Sequence, residues 1–196
     1  MTKRLHILVI IAVLLVPSFA MAGYHSFGPA DAVAKGDNTI EVPLQITNQD
    51  GLAAIDIPLS FSEGVTLTGV TFEGTRVEYF DLQAVLIDND ANTVVIGLLP
   101  QMSPAAKPDL AAGTGPIANL QFTIDDPSVT EVKLEAIELV EPDHELLFIY
   151  RSNQTAEGLV SVYPEFEAVT VALSPDAGEQ PNSFDLGQSY PNPFNP

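Results

Sequence analysis

The chain has no cysteine, no tryptophan and, in 196 residues, only seven lysines and arginines against 26 acidic residues. Lack of cysteine removes disulfides, thiolate metal sites and thiol nucleophiles. The shortage of basic residues leaves a formal charge of −19, which repels phosphate backbones and excludes nucleic-acid binding through a basic face. No apolar run reaches the roughly 20 residues that a membrane-spanning helix needs. What is present is apolar: 46% of the residues are hydrophobic and 17% charged, too hydrophobic for an acidic disordered polymer. The chain is expected to fold, and its length suits one domain with short extensions.

The N-terminus is read as one such extension. Lys3 and Arg4 precede an apolar run from Ile7 to Val16, followed by Pro17, Ser18 and the small-residue pattern Ala20-Met21-Ala22. This predicts a secretory signal peptide over residues 1–22, cut after Ala22. Cleavage removes two basic residues and no acidic one, so the formal charge becomes −21. An exported chain without cysteine depends on its packed core.

The pattern supports such a core, and its period is two. Ile40, Val42, Leu44 and Ile46 alternate with Glu41, Pro43, Gln45 and Thr47; after the turn Asn48-Gln49-Asp50-Gly51, Ile55, Ile57, Leu59 and Phe61 alternate with Asp56, Pro58, Ser60 and Ser62. Each run predicts a half-buried strand. Both prolines fall on the outward phase, which implies few strand neighbours near those points. The run Val65 to Phe72 changes phase at Gly69, the mark of a bulge. Tyr79 to Ile87 and Thr93 to Leu99 flank Asp88-Asn89-Asp90-Ala91-Asn92 and predict a hairpin. Nearly continuous apolar residues mean that this hairpin is covered on both faces or carries an apolar binding surface. Further strands are expected at Ile117–Ile124, Val132–Val140, Glu145–Tyr150, Leu159–Tyr163 and Phe166–Leu173. Nine or ten strands without an amphipathic helix indicate an all-β, two-sheet sandwich over residues 23–173. The connection from Pro100 to Gly115 is long enough to be functional or mobile.

Chemical motifs are sparse. After the leader the histidines are His25 and His144, the latter in the acidic turn Glu141-Pro142-Asp143-His144-Glu145. No nucleophile-elbow pattern accompanies them, and no enzyme activity is expected. Asp88, Asp90 and Asn92 have the alternate spacing of calcium ligands, but Thr93 stands where an EF-hand loop has glycine and Leu99 where it has glutamate. They suit a calcium-binding loop of another kind or a plain hairpin turn. Asp125-Asp126-Pro127 reads as a turn. The sequon at Asn153 matters only in a host that glycosylates such sites.

Two resemblances extend these readings. The segment KGDNTIEVPLQITNQDGLAAIDIPLSF, with the later GTGPIANLQFTI matched at Gly115, Ile117, Ala118, Leu120 and Phe122, resembles a cohesin domain. The resemblance implies a jelly-roll β-sandwich, related in fold to some cellulose-binding modules, that binds a calcium-loaded dockerin across a flat sheet face. Carried over to this sequence, the contact positions are Ala54, Asp56 and Pro58, then Leu86 and Asp88 near the hairpin turn, and Gln101 at the start of the long loop. Ala54 and Pro58 depart from the usual pattern.

The ending SFDLGQSYPNPFNP resembles the linker and first strand of the C-terminal sorting domains of type IX secretion in Bacteroidota-like bacteria. Residues 174–196 are therefore expected to be a linker and the truncated start of such a domain, in a fragment of a longer protein. This implies a secreted or outer-surface location in a Gram-negative-type bacterium.

Three functions follow as expectations: a cohesin-like module holding a dockerin-bearing protein, as in polysaccharide-degrading assemblies; a structural spacer in a larger surface protein; or a carbohydrate-binding module. The last is weakened by the absence of tryptophan and by the dispersal of Tyr79, Tyr150 and Tyr163 through the strands.

Overall fold

A computed structural model describes residues 26–36, 38–102, 107–140, 143–152, 158–166 and 169–172. The expected signal peptide, His25, the sequon at Asn153 and the proline-rich ending lie outside the described residues. No described helix is long and apolar enough to cross a membrane.

In chain order the strands are β1 (Ser26–Pro29), β2 (Val33–Gly36), β3 (Thr39–Asn48), β4 (Leu52–Phe61), β5 (Val65–Thr71), β6 (Leu82–Asp88), β7 (Thr93–Leu99) and β8 (Gly113–Ile124). They continue as β9 (Glu131–Ala136), β10 (Leu139–Val140), β11 (Asp143–His144), β12 (Leu147–Arg151), β13 (Leu159–Val162), β14 (Glu165–Phe166) and β15 (Val169–Ala172). One sheet has the order β14-β1-β3-β8-β5, with β2 also against β3. The other runs β13-β12-β4-β7-β6, with β9 on β4 and β15 on β9. β10 and β11 form a separate short ladder.

The alternation read from β3 and β4 is realised. Ile40, Val42, Leu44 and Ile46 face Ile55, Ile57, Leu59 and Phe61 in one core, all at most 5% exposed. Aromatic rings lock the layers together: Phe27 of β1 meets Phe148 of β12 edge-on at 5.8 Å, and Phe61 of β4 meets Phe122 of β8 at 5.4 Å. Each such buried side chain contributes about 1.5–3 kcal/mol. Together they replace the disulfides that the sequence excludes.

β3 and β4 are interior strands, so the prolines do not mark sheet edges. They mark places where a neighbouring strand gives way to another. Pro43 faces the break between β1, which ends opposite Leu44, and β2, which begins opposite Glu41. Its carbonyl accepts the Ala30 N–H at 2.8 Å. Pro58 faces the break between β12, which ends opposite Asp56, and β9, which begins opposite Leu59; its carbonyl accepts the Ile137 N–H at 3.1 Å. A residue's N–H and C=O point to the same side of a strand, so each missing N–H faces a gap and costs no ladder bond.

The bulge in β5 is confirmed: its register with β8 shifts between Leu67 and Gly69. Other boundaries are corrected. β6 begins at Leu82, because the residues before it form turns that bury both Val77 and Phe80, a three-residue spacing that alternation cannot place on one face. The run Val132–Val140 is broken after Ala136, where Ile137 turns aside to bond Pro58. The long connection is shorter than expected, since β8 already starts at Gly113. Leu110 also exchanges hydrogen bonds of 2.9 Å with Leu52 in both directions. The short strands β1, β2 and β14 carry too few residues for periodicity to reveal.

Candidate functional site

With Ile55, Ile57 and Leu59 turned inward, β4 must present Ala54, Asp56 and Pro58 on the other side. Cross-strand register extends each position into a row. Asp56 lies opposite Gly97 of β7, which lies opposite Ala84 of β6; Pro58 lies opposite Val95, and Val95 opposite Leu86; Ser60 lies opposite Thr93, and Thr93 opposite Asp88. On the other flank of β4, Leu147 and Ile149 of β12 stand opposite Asp56 and Ala54. The outer face of β12-β4-β7-β6 is consequently apolar at Ala54, Pro58, Ala84, Leu86, Val95, Leu147 and Ile149, with Asp56 among them and a polar end at Ser60, Thr93 and Asp88, and no aromatic stands at any of these positions. Each alternative for the hairpin holds for one strand: β7 is covered on both faces, with Val94, Val95, Ile96 and Leu98 at most 6% exposed, whereas β6 carries an apolar surface, with Leu86 58% exposed.

This face contains a shallow hollow of about 260 Å³, lined by Ala54, Leu82, Gly97, Leu99, Leu147 and Ile149 and bordered by Asp56 and His144. Gly97 keeps its floor low without relieving a clash, since an added methyl would meet only Ala84 Cβ, at 3.8 Å. His144 Nδ1 lies 2.8 Å from Asp56 Oδ2, and both side chains are about a quarter exposed. The β10–β11 ladder, pairing Leu139 with His144, carries the imidazole to this border. The pair joins residues 88 positions apart in sequence, and no local motif signals it.

The sequence-selected contact residues are only partly brought together. Asp56 and Leu86 share the face, and Asp88 closes one end of it. Gln101 lies past the opposite end: Leu82, paired with Leu99, is six residues from Asp88 along β6, or roughly 20 Å. The candidate calcium residues serve the turn itself. Asp88 Oδ1 accepts the N–H groups of Asp90 and Ala91 at 3.0 and 2.9 Å, and Asn92 holds a left-handed φ of 53°. Among the described residues no group of three or more His, Cys, Asp or Glu side chains is placed to hold a metal ion. Between them, Asn89 reaches β5, accepting the Leu67 N–H at 3.0 Å and donating to the Leu67 carbonyl at 3.2 Å. Its amide thereby stands in for a neighbouring strand residue.

The connection after β7 is tied down beside this face. Lys107 Nζ bridges Asp81 Oδ1 and the Tyr79 carbonyl, each at 2.6 Å. Tyr79 donates its hydroxyl to the Asp109 carbonyl at 3.1 Å, and Arg151 Nε meets the Asp109 carboxylate at 3.0 Å. Burial and the Asp109 charge raise the Tyr79 pKa against the opposing Arg76 charge.

Arg76, unremarked in the sequence, clamps one end of the sandwich. Its guanidinium donates to Asn48 Oδ1 at 2.9 Å and to the Gly113 carbonyl at 3.0 Å. Burial lowers its pKa, partly offset by Tyr79. Cβ atoms at Gly113 and Gly115 would approach the Arg76 side chain to 3.2 and 3.0 Å, so the two glycines make the groove in which it lies. Asp126 forms the expected turn, and hydrogen bonds from the Ser128 side chain and backbone lower its pKa.

Every basic residue among the described residues is engaged: Lys35 with Glu41, Lys107 with Asp81, Lys133 with Glu135, Arg151 with Asp109, and Arg76 with the clamp.

No family model matches the chain, and no curated protein matches it in sequence. Solved structures match its fold. A type I cohesin from Pseudobacteroides cellulosolvens has 15% identity and a TM-score of 0.55, covering 76% of this chain and 91% of that one. A cohesin of Acetivibrio cellulolyticus, solved in complex with a dockerin, has 10% identity and a TM-score of 0.56, covering 76% and 98%. A type I cohesin–dockerin complex from Clostridium thermocellum gives 10% identity and a TM-score of 0.57, with 76% and 97% covered. The chain therefore has the cohesin fold, a two-sheet jelly-roll β-sandwich.

Proposed function

We propose that this chain is a non-catalytic protein-binding module that holds a dockerin-type partner on the outer face of β12-β4-β7-β6. The observation that carries the reading is the combination of exposed Leu86 with a hollow whose walls are apolar and whose border holds the Asp56–His144 pair. Such a surface gains free energy by excluding water over its apolar rows, while the bordering polar pair fixes orientation. Solved relatives in fold form complexes with dockerins, which supports the class of partner. Fold alone does not assign it. The N-terminal leader and the YPNPFNP ending support a secreted or cell-surface setting of the type IX kind in a Gram-negative-type bacterium, and with it a role in polysaccharide-degrading assemblies.

The test is capture of calcium-loaded dockerin modules by the immobilised full chain. Capture that is lost on L86D substitution and on chelation of the partner's calcium supports the reading. Capture indifferent to L86D moves the site elsewhere. Capture that survives chelation indicates a protein partner other than a dockerin. No capture across a broad dockerin panel leaves the spacer role as the better account.

A further inference from the structure

The strand β6 ends the order of its sheet, and its free side is open. Pro58 turns its carbonyl to the Ile137 N–H, away from β7, so Val95, which stands opposite Pro58, turns its backbone groups to β6. There Leu86 answers Val95, and alternation sends the N–H and C=O groups of Gln83, Val85 and Ile87 to the open side. Among the described residues none makes a backbone hydrogen bond to them there. Both phases of the strand are exposed at its middle: Leu86 at 58% on the outer face and Val85 at 37% on the inner one. An inward side chain is that open because no strand lies beside it.

Sheet edges are ordinarily blunted by charge, proline, bulges or brevity. The other strands that end the sheet orders follow that rule. β5 is bulged between Leu67 and Gly69, and Asn89 takes the N–H and carbonyl of Leu67; β13 has four residues and β14 two. β6 reads LQAVLID, seven residues in regular register with β7, without proline, lysine or arginine and with one charged side chain, Asp88, at its end.

We infer that β6 pairs antiparallel with β6 of a second copy of this chain, about a two-fold axis through Val85. The strand is self-complementary in that register. Val85 meets Val85 of the second copy, Gln83 meets Ile87, and these pairs exchange the open N–H and C=O groups. Between them lie the closer, non-hydrogen-bonded pairs, in which Leu86 of each copy covers Ala84 of the other. Charge permits the pairing: Asp88 falls opposite Leu82, and the carboxylate next to that position, Asp81, is already held by Lys107 at 2.6 Å. The joined edge is roughly 24 Å long and buries well under the roughly 800 Å² per partner of a standard interface, while each chain carries a formal charge of −19. The dimer is therefore weak, and salt strengthens it by screening that repulsion. It sets the two outer faces side by side on one continuous sheet.

Sedimentation velocity of the full chain, from about 10 μM to about 1 mM so as to span weak dissociation constants, tests this. The expected result is a monomer–dimer equilibrium whose dissociation constant falls at least threefold between about 0.05 M and about 0.5 M salt. V85P, which removes an outward N–H, and V85K, which sets two like charges opposite each other, each raise that constant at least tenfold with unchanged far-ultraviolet circular dichroism. Because the chain has no cysteine, introduced thiols read the register: oxidation links A84C to L86C in an equimolar mixture, and neither variant to itself. No partner protein enters these measurements, so they stand or fall apart from the protein-binding reading. A monomer at every concentration, which leaves the edge to an extended segment of another protein, would overturn the inference. So would a dimer that salt dissociates, one indifferent to whichever Val85 variant folds, or one linked equally by each thiol variant alone.

Discussion

His144 Nδ1 sits 2.8 Å from Asp56 Oδ2, joining the short β10–β11 ladder to the border of the apolar hollow on β4. Removing the imidazole uncouples that ladder from the sheet. H144A is expected to lower stability by only about 0.5–1 kcal/mol, the range for a partly exposed polar pair. A double-mutant cycle with D56A in chemical denaturation checks this: the double variant should cost less than the sum of the two single variants, because both remove the same contact.

Leu86 is 58% exposed, so L86D should leave the denaturation midpoint close to that of the parent chain, as surface changes generally do. Partner affinity should fall at least tenfold, corresponding to about 1.4 kcal/mol or more. Denaturation and titration calorimetry on one preparation read both quantities.

Phe122 is fully buried and packs against Phe61 at 5.4 Å. F122A should cost about 3–5 kcal/mol through lost burial and a residual cavity. In a chain without disulfides the loss should appear directly as a lower urea midpoint.

R76A strips Asn48 Oδ1 and the Gly113 carbonyl of a donor at the clamp. A loss of about 1–2 kcal/mol is expected. G115A acts on the same groove from the other side, bringing a methyl to 3.0 Å from Arg76 Cδ at a positive φ of 151°. Thermal denaturation should show both variants destabilised, and the pair together by less than their sum.

Tyr79 contributes a dependence on alkaline pH. Its folded pKa is raised above the ordinary value of 10.0 by burial, then by Asp109. The protonated phenol therefore favours the folded state. That contribution is complete below the unfolded pKa and is lost as pH rises through the folded one. Y79F should flatten the decline in urea midpoint above pH about 10, and the wild-type minus Y79F phenolate absorbance should titrate above the free-tyrosine midpoint.

The sandwich was legible in the sequence because alternation in β3 and β4 is strict and each strand is long enough to repeat its period. Pro43 and Pro58 show where local reading stops. Their outward phase was visible, but only the tertiary arrangement reveals that each faces a change of neighbour within an interior strand. Tyr79 and Phe80 mimicked a strand extension, but β6 begins only at Leu82. Asp56 and Leu86 could be placed on one face from alternation together with the cohesin resemblance. His144 could not join them, since a contact spanning 88 positions leaves no trace in spacing. Arg76 and its glycine groove were hidden for the same reason.

The central claim is that the outer face of β12-β4-β7-β6 receives a protein partner. Hydrogen exchange of the full chain with and without a captured dockerin tests it most directly, because protection maps onto individual strands. The account expects added protection in the edge strand β6 and in the connection following β7, with exchange in β5 and β8 unchanged. Protection confined to β5 and β8, with β6 exchanging as in the free chain, would contradict it.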